Sequence, residues 1–197
     1  MPGDPRYADA GFDAVLAAAR RDAEAIARGG AAAVIVENFG SAPFPKGHPD
    51  QPTPPHQVAL IALAVSECRR ITGLTVGVNV LRNDARAAVG IAAACGAAFV
   101  RVNVHVGAYV TDQGLIEGRA FETLRYRREL GAEVAILADV RVKHAAPLAP
   151  VRCAPRSRTA CCGAARTRWW SPAPGRASRS IARSSRRWRA RRGTRRW

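Results

Sequence analysis

Hydrophobic and polar positions follow two repeating patterns along residues 1–148. Four segments carry apolar residues at the spacing of an amphipathic helix, and four shorter segments are nearly continuous apolar runs. A glycine follows each helical segment, where it can end a helix without steric cost. The pattern therefore predicts helices over 12–28, 57–72, 84–95 and 119–130, and strands over 32–39, 75–81, 99–106 and 133–144.

Alternation of short apolar strands with amphipathic helices predicts an α/β fold in which a parallel sheet is covered by helices. Two architectures fit this order: a (β/α)₈ barrel and a doubly wound open sheet. No glycine-rich dinucleotide-binding or P-loop fingerprint follows any predicted strand. Polar residues occur near every strand end rather than at one switch point, and this favours the barrel.

The stretch 98–120 carries the densest group of candidate site residues. Arg101, Asn103 and His105 interrupt an apolar strand at every second position, so we expect them to share one face of the sheet. The strand stops at Gly107, and a polar loop with Asp112 and Glu117 follows. The alternative is that the three strand residues form a satisfied polar layer inside the fold.

Each neighbouring strand also ends in polar residues, which predicts one shared polar rim at the carboxyl edge of the sheet. Asp84 has an alternative role as the N-cap of the following helix. The rim candidates outside 98–120 are Glu37, Asn38, Asn79, Arg82, Asn83, Asp84, Asp139, Lys143 and His144.

Charge divides the chain into two parts. The formal net charge is +16, and residues 151–197 contain 15 arginines but no lysine, aspartate or glutamate. The nearly neutral remainder argues against a nucleic-acid-binding body. No apolar run reaches the ~20 residues of a membrane helix, and the five cysteines have no disulfide-framework or zinc-site spacing. We therefore expect a cytoplasmic protein with reduced thiols, no membrane span and no zinc site built from its cysteines.

Five segments resemble the BtpA family, which is named for a protein implicated in photosystem I biogenesis and includes SgcQ-like members from sugar-metabolism settings. They are PGDPRY at 2–7, VIVENFGSAPF at 34–44, VGVNVLRNDARAA at 76–88, RVNVHVGAYVTDQGLIEG at 101–118 and ADVRVKHAAPL at 138–148. The resemblance implies a TIM-type barrel. Family members usually carry a further strand before the first segment, and a barrel of ~250 residues needs more chain after the last one.

The expected domain organisation is thus an incomplete barrel of about four central βα units over 1–148, followed by a disordered Arg-rich tail over 149–197. Unpaired strand edges in such a fragment predict poor solubility. For full-length relatives a homo-oligomer is compatible with the resemblance.

If the barrel interpretation holds, His105 is the acid–base candidate, because an unperturbed histidine titrates near neutrality. Asp139 and Glu37 could orient a hydroxyl or hold a divalent cation; no other cofactor is indicated. Lys143 could bind an anion or, as a lower-ranked alternative, form a Schiff base. The remaining anion-binding candidates are Arg82 and Arg101, and the amide candidates are Asn38, Asn79, Asn83 and Asn103.

Three functions remain open at this point. The first is a TIM-type barrel protein that binds or transforms a small sugar-like or phosphorylated metabolite, as a lyase, aldolase, isomerase or hydrolase, with this copy expected to be inactive as a fragment. The second is a non-catalytic photosystem I biogenesis factor. The third, which the neutral body makes less favoured, is nucleic-acid binding by the tail, where Trp169, Trp170, Trp188 and Trp197 could stack on bases.

We predict that the chain from about residue 149 onward is an out-of-frame translation. Asp, Glu, Lys, Leu and Phe all disappear there, while residues typical of GC-rich codons in a wrong frame accumulate. Read one nucleotide earlier, codons for 165–177 can encode GADALVVTGAGTG, a strand and a glycine-rich loop that continue the barrel pattern. Sequencing the gene tests this prediction: stop codons in the earlier frame would leave a basic arm as the explanation.

Overall fold

The computed structural model describes residues 1, 3–5, 7, 11–140 and 142–149, and the backbone of 167–170. The helices are α1 (Gly11–Arg28), α2 (Pro55–Thr72), α3 (Ala85–Cys95) and α4 (Ala120–Glu129). The strands are β1 (Ala33–Glu37), β2 (Thr75–Asn79), β3 (Phe99–Val102), β4 (Ala108–Thr111), β5 (Gly114–Glu117), β6 (Ala135–Asp139), β7 (Ala145–Pro147) and β8 (Thr167–Trp170). All four predicted helices are confirmed.

The larger sheet is parallel and has the strand order β1-β2-β3-β6-β8. Within this sheet, spatial order therefore follows chain order among the described strands. Because crossovers between parallel strands are right-handed, this order places the connecting helices on one face of the sheet. A doubly wound sheet would reverse direction at a switch point. The described strands show no such reversal, and their arrangement is compatible with part of a TIM-type fold.

The hydrophobic core lies between the helices and that one face of the sheet. Val78 and Val100 are fully buried in it, as is Val65 of α2, and Val89 of α3 packs in the same cluster. Leu124 brings α4 into contact with this core. Alternate strand residues point away from the helices, and the candidates Glu37, Asn79, Arg101 and Asp139 lie among these.

The chain leaves the larger sheet earlier than the sequence predicts. Strand β3 ends at Val102 and β6 ends at Asp139. The stretch 108–117, predicted as a polar loop, instead forms a β4–β5 hairpin, and β7 adds to its other edge to give the order β5-β4-β7. The predicted single face shared by Arg101, Asn103 and His105 therefore does not extend to His105.

Most of the tail lies outside the described residues, including the segments on which the frameshift interpretation and the nucleic-acid alternative depend. At Thr167–Trp170 the structure differs from the predicted disorder, because the backbone pairs with β6 in parallel register. Within the described part of the chain, no helix has the length and apolar character needed to span a bilayer.

Gly77 and Phe99 provide a test of packing on the face of the sheet opposite the helices. The Phe99 ring covers Gly77, and a Cβ built at Gly77 would lie 2.1 Å from Cε2 of Phe99. We expect Gly77→Ala to lower the free energy of unfolding by about 1–3 kcal/mol, because the ring must move. Urea unfolding of the full chain measures this change.

Gly40→Ala is the matched control, since nothing lies within 4 Å of a Cβ at Gly40. It should change the unfolding free energy by less than about 0.5 kcal/mol. Combining Gly77→Ala with Phe99→Leu should restore part of the lost stability. Equal effects of Gly77→Ala and Gly40→Ala would contradict the close packing described above.

Candidate functional site

Five predicted site residues meet at the carboxyl edge of the parallel sheet, and Arg101 is at their centre. Its Nε and Nη2 atoms donate to the two carboxylate oxygens of Asp139 at 3.1 and 3.0 Å, and Nη1 donates to Oε1 of Glu37 at 3.1 Å. Asn79 donates to the same Glu37 oxygen at 3.3 Å, and Asn103 donates to Oδ2 of Asp139 at 3.0 Å. We call these five residues the strand-end network.

Strand register accounts for this meeting. Glu37 and Asn79 are direct partners in the β1–β2 pair, and Arg101 pairs with Leu137, two residues before Asp139. Residues two apart on a strand share a face, so Arg101 and Asp139 project to the same side. A single long guanidinium side chain can therefore join β1, β3 and β6.

The network contains one cation and two carboxylates. Burial lowers the pKa of Arg101, but the bonds and charges of Asp139 and Glu37 outweigh it, so that pKa lies above its ordinary value. Burial raises the pKa of Asp139, and its bonds to Arg101 and Asn103 only partly offset this effect. Because Arg101 is committed to two carboxylates, it is a weaker anion ligand than the sequence alone indicates.

Asn38 and Asn83 contact backbone rather than the strand-end network. Asn38 accepts from the N–H of Leu81 at 2.7 Å and donates to the carbonyl of the same residue at 3.1 Å. Asn83 makes the same pair of bonds to Val104, both at 2.8 Å. Each amide thus takes the place of a strand partner where the sheet ends. The predicted role of Asn38 and Asn83 in binding a substrate stays a prediction.

Other predicted site residues lie elsewhere. Arg82 donates to Asp112 at 2.8 Å and stacks 4.7 Å from the centroid of the Phe44 ring. Glu117 and Lys143 are exposed and have no described bond to the network. Asp84 caps α3 through a bond from the N–H of Ala87 at 2.9 Å, which confirms its alternative role. The substrate roles of Arg82, Asp112, Glu117 and Lys143 stay predictions.

His105 is 3% exposed and lies outside the strand-end network. Burial, with a smaller contribution from the positive charge of Arg127, lowers its pKa from 6.5 to about 4. The ring is therefore neutral near pH 7, unlike the neutral-pH titration that the sequence suggested. Its Nδ1 has no hydrogen-bond partner in the described part of the chain.

Among the described residues, no group of three or more histidine, cysteine, aspartate or glutamate side chains could hold a metal ion. Glu37 and Asp139, the residues that we considered for a divalent cation, are joined instead by the guanidinium of Arg101. A guanidinium already supplies the positive charge that a cation would bring to these carboxylates.

A cavity of about 590 Å³ lies beside the first turn of α3 and was not anticipated from the sequence. The 47–53 segment forms part of its wall, and Arg86, Arg119 and Tyr126 line it from the helices. The only sequence signal was the unusual length of the proline-rich connection over 40–56, because long loops are often functional.

Comparison with known proteins identifies close relatives. The model of the BtpA family matches residues 1–160. The photosystem I biogenesis protein BtpA of Synechocystis sp. is 54% identical over 135 residues, which cover 68% of this chain and 46% of that protein. The uncharacterized protein TK2179 of Thermococcus kodakarensis is 48% identical over 145 residues, which cover 74% and 53%. The chain spans about half the length of the curated relatives it matches.

The buried position of His105 predicts acid sensitivity. The pKa of His105 is about 4 in the folded chain and lies below the ordinary 6.5. Between these pH values His105 is protonated in the unfolded chain but neutral in the folded chain, so a fall in pH favours unfolding. Stability should rise with pH between these values, by about 3 kcal/mol in total from this group. His105→Gln should reduce that pH dependence, as measured by urea unfolding from pH 4 to 7.

The matched control is His144→Gln, because the His144 side chain is exposed. It should leave the acid dependence close to that of the unsubstituted chain. Histidine ring NMR gives a second readout, in which the His105 signal should begin to titrate only well below pH 6. Titration of His105 near pH 6.5, or equal pH slopes with and without the substitution, would refute this account.

Proposed function

The chain belongs to the BtpA family, and from this premise we propose that it is part of a TIM-type barrel whose strand-end network binds a small polyhydroxylated, sugar-like metabolite. In the full-length barrel this metabolite is also the substrate. The strand order supports the barrel, because all described crossovers run in one direction. Its carboxyl edge is where barrel proteins place their sites.

The observation that carries the proposal is the unused hydrogen-bonding capacity at the open edge of the network. Arg101 has five N–H groups, of which three are engaged. Oε2 of Glu37 accepts no hydrogen bond from the described residues, whereas Oε1 accepts two. Both side chains are 22% exposed, so a ligand can reach them.

A hydroxyl group suits this edge, because it donates and accepts hydrogen bonds at one atom. It can donate to Glu37 while accepting from Arg101. A phosphate group suits it less, since the network carries two carboxylates against one guanidinium and would repel a further anion. The network therefore favours the sugar-like metabolite over the phosphorylated one at this position.

Binding of neutral sugars to the full chain tests the proposal. D-ribose, D-xylose and D-glucose are the probes, sodium phosphate is the anionic comparison, and affinity is measured by isothermal titration calorimetry. We expect at least one sugar to bind more tightly than phosphate. Glu37→Gln, which removes a charged acceptor without changing shape, should weaken sugar binding about tenfold.

Glu24→Gln is the control, because Glu24 is exposed and its ion pair among the described residues is with Arg28, across one helical turn of α1. Its effect on sugar affinity should stay within twofold. The proposal fails if no sugar binds at millimolar concentration, if phosphate binds more tightly than every sugar, or if Glu37→Gln leaves the affinity unchanged.

The name of the Synechocystis relative supports a second candidate, a non-catalytic role in photosystem I biogenesis. Expression of this chain in a Synechocystis strain that lacks the relative distinguishes the two. If both the unsubstituted chain and Glu37→Gln restore photosystem I levels, the assembly role is favoured. If Glu37→Gln fails to restore them, the assembly role also depends on the strand-end network.

A further inference from the structure

The cavity beside α3 is separate from the strand-end network, because no residue of that network lines it. Asn83 and Val104, which pair through the Asn83 amide, are part of its wall. The 47–53 segment and helices α3 and α4 provide the rest. Its volume of about 590 Å³ is within the range of small-molecule sites.

The two acidic side chains that line the cavity already have hydrogen-bond partners. Glu122 accepts from Nε of Arg119 at 2.9 Å, so this pair is neutral. Asp84 accepts backbone N–H groups from Ala87 at 2.9 Å and from Thr53 at 3.1 Å. Neither set of hydrogen bonds involves Arg86.

Arg86 is the arginine in the cavity wall that has no carboxylate partner among the described residues. Its guanidinium carbon lies 4.1 Å from the centroid of the Tyr126 ring, and it makes no ion pair or hydrogen bond with any described residue. Stacking on an aromatic face holds the guanidinium plane while leaving its N–H edge available. That edge matches the two oxygens of a carboxylate.

Thr53 supplies an independent sign of an unmet polar requirement in the same wall. This residue is 4% exposed, and its Oγ1 has no hydrogen-bond partner within the described part of the chain. Buried hydroxyls are normally bonded. Val58, Ile91 and Val104 add apolar surface to the cavity, which suits the hydrocarbon part of a ligand.

From this geometry we propose that the cavity binds a small organic monocarboxylate with an apolar body, and that Arg86 holds the carboxylate. The wall carries two arginines, Arg86 and Arg119, and two carboxylates, Asp84 and Glu122, so a ligand with a single negative charge suits it better than a dianion. A dianion such as phosphate would place its second charge near the carboxylates of Asp84 and Glu122. The site is separate from the proposed sugar site and does not depend on it.

Benzoate and hexanoate are the probes, with benzamide as the neutral isostere and inorganic phosphate as the dianionic comparison. Binding to the full chain is measured by calorimetry, and ¹H–¹⁵N NMR locates it. We expect both carboxylates to bind at least tenfold more tightly than benzamide or phosphate, and to shift the signals of Arg86 and Thr53. Arg86→Gln should weaken benzoate binding about tenfold or more.

Arg125→Gln is the matched control, because Arg125 also stacks on an aromatic ring, 5.2 Å from the centroid of Phe121, but does not line the cavity. It should change benzoate affinity by less than twofold, and Arg86→Lys should retain part of the affinity. The proposal is overturned if neither benzoate nor hexanoate binds at millimolar concentration, or if benzamide or phosphate binds equally well. It is also overturned if Arg86→Gln and Arg125→Gln reduce benzoate affinity equally.

Discussion

The carboxyl edge of the sheet depends on one guanidinium. Asp139 has a side chain that is only 1% exposed, and an isolated carboxylate at such a position would be costly. Arg101 compensates it through two bonds and reaches Glu37 on the far side of β2. One side chain thereby joins β3 to its backbone partner β6 and also to β1, which is not a neighbour of β3 in the sheet. An ion pair of this kind adds little net stability, because the cost of removing the charges from water offsets much of their attraction.

The same requirement, that polar groups leaving a sheet must find partners, explains the two asparagines beside the network. Once a strand ends, its last backbone groups lose their ladder partners. The amides of Asn38 and Asn83 supply both a donor and an acceptor to Leu81 and Val104. The polar rim therefore has two parts that use different residues: Asn38 and Asn83 pair with backbone where strands end, and the strand-end network joins side chains of β1, β2, β3 and β6.

Local patterns in the sequence were sufficient for the helices and for a parallel sheet, but they left the spatial order of the strands open between two architectures. Helix α2 ends at Thr72 because Gly73 adopts the left-handed conformation that glycine tolerates, and Asp84 caps α3 as its residue type predicts. The early end of β3 could not be predicted in this way, because it depends on the amide of Asn83, 21 residues from Val104. The neutral state of His105 depends likewise on burial and on Arg127 from a later helix.

The hydrogen-bond pairs made by Asn38 and Asn83 also have a consequence for chemical deamidation of the protein. Deamidation converts an asparagine amide into a carboxylate, which has only acceptors. At Asn83 the donor to the Val104 carbonyl would become a negatively charged oxygen facing another oxygen, so one attraction would turn into repulsion. Both amides are buried, at 1% exposed for Asn38 and 6% for Asn83, and the folded chain shields them from the water that completes this reaction. The rate of deamidation at Asn38 and Asn83 would then depend on the fraction of time that the chain is unfolded, rather than on the time since its synthesis.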